Sequence, residues 1–303
     1  PGEGWTKPDA LIINPQLSEE TEHLRNLCTA GLVFILLQKV RQLMNQIGYP
    51  NIPSLIKLSG LAALGTVSDL MQLRGLNRAL VSQGIPHLDD VLGLSALTTK
   101  TMGKLGERKK ITSRSLGFNI GPCINAGGRI SDCMKGSELL TCQNESEAID
   151  KAEELFKINS ERQALQKRIE AEALEMANEI TDQSASVIIL RNEEWHPGVI
   201  GIVASRILTH MNRPIIIIGK GGKGSGRSCH AFDLGLAVIE ARNAGLLKTG
   251  GGHALVRGVG VKDEEYENFV RFMHEKSKDI IRKPERVDCE LSLSDLSKSL
   301  VRR

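Results

Sequence analysis

Between Glu145 and Asp182 the chain runs without one proline or glycine, and this stretch constrains the architecture more than any other. It is dense in Glu, Lys, Arg, Ala and Leu, with apolar residues three and four apart, which is the pattern of an amphipathic helix. A helix of that length exceeds what one globular core uses, so the sequence predicts a connector between two lobes. Upstream, Asp9 to Asn14 reads as a short buried strand. Ser18 with Glu19 to Glu22 reads as an N-cap and acidic first turn, leading a helix to about Ile47. Ser54 to Leu64 is apolar at helical spacing and is expected to break at Gly65-Thr66 into the loop GTVSD, Gly65 to Asp69. Short helices are expected around Asn77 to Gln83 and Leu88 to Leu92, and irregular backbone in GPCINAGGR, Gly121 to Arg129. Downstream, β-branched strands (Ser186 to Leu190, Pro214 to Ile218) alternate with helices (Val199 to His210, Asp233 to Ala244, Asp263 to Ile281), an α/β order.

The chain has 303 residues, of which 41% are hydrophobic and 25% charged, enough for two ordinary cores and too apolar for a disordered polymer. Its longest apolar runs, Gly31 to Leu37 and Pro214 to Gly219, are far too short to span a membrane. Pro1 to Lys7 carry glycine, acid and tryptophan rather than a basic start and apolar stretch, so no secretory signal is read and a cytoplasmic protein is expected. Six cysteines without a C-x-x-C pair fit reduced thiols. The formal net charge is only +3, yet eight basic residues fall between Arg206 and Arg257 against Asp233 and Glu240 alone. With 3% aromatic residues, a nucleic-acid partner would be gripped through its phosphates more than by stacking.

Four places could carry chemistry. Asp69, at the end of its glycine-containing loop, could ligate a hard divalent cation, although such a residue is more often a helix cap or turn. In GPCINAGGRISD, Asn125 and Arg129 could hydrogen-bond across a cleft floor, or close a tight structural turn. In GKGSGRSCH, Arg227 and Ser228 offer a planar fork and a hydroxyl to a phosphate. In KTGGGHA, the glycines Gly250, Gly251 and Gly252 could form an anion-binding nest, with His253 donating to the same group. Lys248 precedes those glycines, so no Walker A loop is present. Trp195 reads as a packing residue and His196 as a cap.

Taken together, LIINP (Leu11 to Pro15), LAALGTVSDL (Leu61 to Leu70), NR (Asn77, Arg78), GFNIGPCINAGGRISD (Gly117 to Asp132), NSERQ (Asn159 to Gln163), WHPGVIGIVASRI (Trp195 to Ile207), GSGRS (Gly224 to Ser228) and GGGH (Gly250 to His253) resemble the RecJ family of single-stranded-DNA exonucleases, in the DHH phosphoesterase superfamily. The resemblance implies an α/β, two-lobed fold of the DHH phosphoesterase type. It implies the C-terminal part of a metal-binding DHH lobe over 1–143, a connecting helix over 144–183, a complete DHH-associated substrate lobe over 184–282, and the start of a truncated OB-fold over 283–303. By the same likeness Asp69 is a ligand in a centre of two Mn²⁺ or Mg²⁺ ions. Arg227, Ser228, Gly251, Gly252 and His253 meet the phosphates, with Asn125 and Arg129 as further substrate contacts. The likeness further implies that single-stranded DNA is the substrate, hydrolysed 5′ to 3′ in DNA repair and recombination, with a single-strand-binding protein or other repair proteins as partners.

The family's other metal ligands, including its Asp-His-His triplet, are absent from this sequence and expected upstream of Pro1, so the chain alone is expected to be inactive. Two alternatives stand beside the exonuclease: a noncatalytic single-strand-binding or replication-scaffold relative, and a phosphodiesterase of short oligonucleotides or cyclic dinucleotides.

Overall fold

The structure is a computed structural model, and it describes residues 9–17, 24–103, 110–180, 187–229, 232–253, 256–278, 290–292, 294 and 297; for 252, 253, 256 and 257 it describes the backbone only. The expected cap at Ser18 to Glu22, His230, and most of the Val287 to Leu300 segment lie outside these residues. The chain divides into two compact units, Pro1–Gln163 and Ala164–Arg303, and the division falls inside one helix.

The first unit is helical. It contains α1 (Thr29–Gln46), α2 (Ser59–Ser68), α3 (Gly75–Gly84), α4 (Leu92–Met102), α5 (Ser113–Ser115), α6 (Gly121–Ile130), α7 (Met134–Leu140) and the first part of α8 (Glu145–Glu179). A π-helical turn, Leu116–Ile120, joins α5 to α6. Its core gathers Ala63, Leu64, Leu88, Leu94, Leu97, Leu116, Ile120, Leu139 and Leu155, all buried. The helix read from the absence of breakers is therefore present, beginning at the expected Glu145 and ending three residues before Asp182.

Three local expectations are corrected. Asp9 to Asn14 is neither strand nor buried: Leu11 is fully exposed, and among the described residues no strand pairs with it to satisfy its backbone. GTVSD is not a loop, because Gly65 to Ser68 form the last turn of α2 and Asp69 is its C-cap, with its N–H donating to Gly65 O at 3.0 Å. Gly65 does not break the helix; it lets α1 approach, since a Cβ there would lie 2.5 Å from Ala30 Cβ. GPCINAGGR is helical too, as most of α6, and Gly121 serves the same purpose, since a Cβ on it would lie 2.5 Å from Ser68 Oγ.

The second unit holds a five-stranded sheet: β1 (Ile188–Arg191), β2 (Ile215–Ile218), β3 (Lys223–Arg227), β4 (Leu247–His253) and β5 (Val256–Val261), in the order β1-β2-β3-β5-β4. β1 and β2 are parallel and the other pairs antiparallel. The parallel pair needs a crossover, supplied by α9 (Pro197–Met211). His196 caps α9, its Nδ1 accepting from Gly198 N at 3.1 Å, and Pro197 fits the first turn, where an N–H would be unbonded. Trp195 is completely buried and donates from Nε1 to Glu172 Oε2 of α8 at 2.7 Å, the packing role read from the sequence. All four residues of β2 are buried because helices cover both its faces: α9 on one, and α10 (Leu234–Asn243) with α11 (Tyr266–Lys276) on the other.

Candidate functional site

In the first unit, Ser68 packs on Gly121, so the C-terminus of α2 abuts the first turn of α6. Asp69 is exposed there, followed by Leu70 in the left-handed region at φ 57°, which turns the chain sharply outward. Asn125 and Arg129 follow Gly121 at intervals of four and so share its helical stripe, and both are exposed. Arg129 sits in the last turn of α6, where a cation is favoured by the helix dipole.

A buried residue set that received no role from the sequence joins α6 to α8. Asn159 of α8 donates to Cys123 Sγ at 3.2 Å, and Arg162 donates from Nε and Nη2 to Asn159 Oδ1 at 3.2 and 2.8 Å. All three are buried, and burial pushes the Cys123 thiol up to about 11 despite the nearby Arg162 charge and the Asn159 hydrogen bond. The signal was the polar run NSERQ inside an otherwise periodic helix.

In the second unit, the register aligns three rows across β3, β5 and β4: Lys223, Gly260, Thr249; then Ser225, Gly258, Gly251; then Arg227, Val256, His253. Residues two apart share a sheet face, so the three rows are neighbours on one face. α9 covers this face only as far as β3. Beyond it lies a shallow groove of about 670 Å³, lined by Pro197 and Ile200 on one side and by Lys223, Ser225, Thr249, Gly251 and Gly258 on the other.

Arg227 is half-buried beside Ser225, one of the residues that line this groove. Its Nε donates to Ser205 Oγ at 2.9 Å, and its Nη1 donates to Ser225 Oγ at 2.8 Å and Gly226 O at 2.9 Å. A side chain at Gly201 would crowd it, because a Cβ there would lie 3.0 Å from both Arg227 Nη2 and Ser225 Oγ. The guanidinium is thus held in place by two serines and one missing side chain, none of which the sequence reading assigned a role.

Two expectations change here. Gly250 to Gly252 do not form a nest: they are extended in β4 and paired with β5, whereas a nest needs consecutive helical and left-handed residues. Left-handed glycines occur instead at Gly221 (φ 69°) and Gly222 (φ 70°), where Gly221 N donates to Glu193 Oε2 at 2.9 Å. That hydrogen bond, with Arg191 beside it, holds the Glu193 carboxyl below its usual range. Ser228 also departs from expectation, being buried with its hydroxyl donating to Phe232 O at 2.8 Å, so it ties down its own loop instead of facing a ligand. The backbone of His253 closes β4 in the Arg227 row; its side chain lies outside what is described.

A two-metal hydrolytic centre needs several anionic or imidazole ligands converging on ions a few ångströms apart. Among the described residues no group of three or more His, Cys, Asp or Glu side chains is placed to hold an ion. Asp69 alone does not fit such a centre, and no chemical step is assigned to one. Among the described residues no helix is long and apolar enough to cross a membrane.

Comparison with known proteins fits this geometry. The DHHA1 domain family model matches residues 184–279, the stretch that contains the sheet, Arg227 and the glycine rows. The chain is 33% identical over 283 residues to the single-stranded-DNA-specific exonuclease RecJ of Salmonella typhimurium, covering 88% of this chain and 49% of that protein. It is 32% identical over 283 residues to the Escherichia coli protein of the same name, with the same coverage. The chain spans about half the length of these curated relatives. Among solved structures, RecJ from Thermus thermophilus in complex with Mn²⁺ superposes with a TM-score of 0.77 at 30% identity, covering 91% of this chain and 40% of that one. The exonuclease RecJ bound to manganese gives a TM-score of 0.75 at 31% identity, over 97% of this chain and 70% of that one. With that identity, coverage and shared DHH phosphoesterase fold, the chain belongs to the RecJ family.

Proposed function

We propose that this chain is the strand-holding part of a single-stranded-DNA-specific 5′–3′ exonuclease, contributing Asp69 to a divalent-metal centre whose remaining ligands are not among the described residues. The observation that carries this reading is the fixed guanidinium of Arg227, held against Ser225 of an open, side-chain-poor groove, within a stretch where eight basic residues stand against two acids. A polyanion bound there gains from neutralised phosphates and released counterions, with no base edge being read. Manganese in the solved relatives, and the substrate given in the names of the curated ones, support the same reading. Gly251, Gly252 and His253 then contribute backbone and imidazole donors beside Arg227, Asn125 and Arg129 add contacts in the helical unit, and Ser228 acts by holding its loop.

Binding of a fluorescent single-stranded oligonucleotide to the 303-residue chain, titrated against salt, tests this. The logarithmic slope should be about −0.7 per phosphate contacted, and Arg227→Ala and His253→Ala should each weaken binding by about tenfold without base preference. Unchanged affinity in both variants overturns the assignment. With Mn²⁺ present the chain alone should bind the strand without shortening it; degradation would refute its expected inactivity.

A further inference from the structure

Strand binding gives no part to Asn77, the first residue of the NR pair, yet this polar side chain is buried at 2% exposure near the start of α3. Both hydrogens of its Nδ2 are used, donating to Asn26 O at 2.6 Å and to Gln72 O at 3.0 Å. Two carbonyl partners fix which end of the amide is nitrogen, and so which is oxygen. That oxygen, Oδ1, is buried and has no hydrogen-bond partner among the described residues. A buried acceptor left unpaired is costly, so its surroundings bear on what would satisfy it.

Asn77 lines a cavity of about 150 Å³ together with Asn26, Leu27, Arg74, Gly75 and Leu76. The space is several times the roughly 30 Å³ of one water and well below the ~300 Å³ at which sites for larger organic ligands begin. With its nitrogen already engaged, Oδ1 is the polar atom Asn77 has left to offer there. The rest of the wall donates. α3 is ten residues long, its Arg74 N-cap makes no side-chain cap, and the amides of Gly75, Leu76 and Asn77 precede the helix's own hydrogen-bond ladder. Arg74 itself is exposed, and among the described residues no acidic side chain lines the cavity. Amides, helix dipole and guanidinium all favour an anion. The lone acceptor adds a condition, because it needs an anion that also carries a hydrogen to donate.

We propose that the start of α3 binds inorganic phosphate as hydrogen phosphate. Its bare oxygens accept from the Gly75 and Leu76 amides and from Arg74, and its P–O–H donates to Asn77 Oδ1. Sulfate has the same tetrahedral shape but no proton to give, so Oδ1 selects against it. A phosphomonoester, which loses its second proton at about pH 6, is disfavoured for the same reason in mild alkali. The site is independent of the strand-binding reading. Only Leu70 to Leu73 separate Asp69 from Arg74, so an occupied site steadies the link that follows Asp69.

The test is an NMR titration of the isotope-labelled 303-residue chain at about pH 8 and constant ionic strength, following the assigned Gly75 and Leu76 amide signals. Phosphate should shift them saturably and bind at least about tenfold more tightly than sulfate or methyl phosphate. Arg74→Gln, a surface substitution, should weaken phosphate about fivefold while the rest of the spectrum stays in place. Equal affinity for phosphate and sulfate would remove Oδ1 from recognition and overturn the proposal. So would methyl phosphate binding as well as phosphate, full affinity in Arg74→Gln, or amide signals that do not move, the behaviour of a cavity that takes water alone.

Discussion

Glycines of the two units can serve opposite ends. In the helical unit glycine marks where backbones touch: a Cβ on Gly93 would lie 1.8 Å from Leu139 O, and one on Gly84 would lie 2.3 Å from Ser59 O. In the sheet unit Gly251 and Gly258 keep space empty. Arginine divides the same way. Arg162 is buried and its guanidinium is turned inward onto Asn159, while Arg227 is pinned by Ser205 and Ser225 at the edge of the groove. Gly84, Gly93 and Arg162 of the first unit serve packing, whereas the second unit, which also has packing glycines such as Gly224 and Gly226, leaves Gly251 and Gly258 open.

That contrast can be broken most decisively at Gly93. Gly93→Ala must displace the Leu139 carbonyl, so a loss of about 3 kcal/mol or more is expected in denaturant titration. A near-neutral result would mean that the helices slide apart freely and that glycine there is not a packing requirement.

The buried Cys123 cluster gives the next largest effect. A thiol near pKa 11 keeps its proton between about pH 9 and 11, where the unfolded chain, at 9.0, has lost it. Folding stability therefore stands below pH 9 and falls as pH rises through that window, by roughly 2 kcal/mol. Thermal melting from pH 8 to 11 should show this fall in the natural chain and a smaller one in Cys123→Ala. Identical curves would show that the thiol is less enclosed than the geometry indicates.

Smaller effects sharpen the other side of the comparison. Gly201→Ala crowds Arg227 and Ser225, and is expected to weaken strand binding about threefold with stability changed by less than about 1 kcal/mol. Smallest of all, Gly258→Ala should leave stability within about 0.5 kcal/mol, since its Cβ enters open space. A large destabilisation there would place Gly258 with the packing glycines and remove the distinction.

Much of the fold was legible because periodicity survives in one dimension. The long helix α8, the strands β1 and β2 and the helices α9 to α11 were all read close to their observed bounds, since apolar spacing and the lack of breakers report local geometry directly. The glycine segments were misread. Gly65 and Gly121 look like helix breakers in a string, but the partners that make them necessary, Ala30 and Ser68, are remote in sequence. The triple glycine of β4 suggested an anion nest, yet pairing with β5 makes it an edge strand. The clue to that pairing lies in RGVGV, which alternates glycine with valine at period two, the mark of a strand with one bare face.

By itself the sequence determined the family, the α/β order after the long helix, and the identity of the charged and glycine residues around which a phosphate-binding surface could form. Only the tertiary structure decided which glycines pack and which leave a groove, that Ser205, Ser225 and Gly201 hold Arg227, and that Ser228 faces inward. The physical reason is that a missing side chain has no meaning until its surroundings are known. Close approach and open space are written with the same letter, and only the neighbouring strand or helix tells them apart.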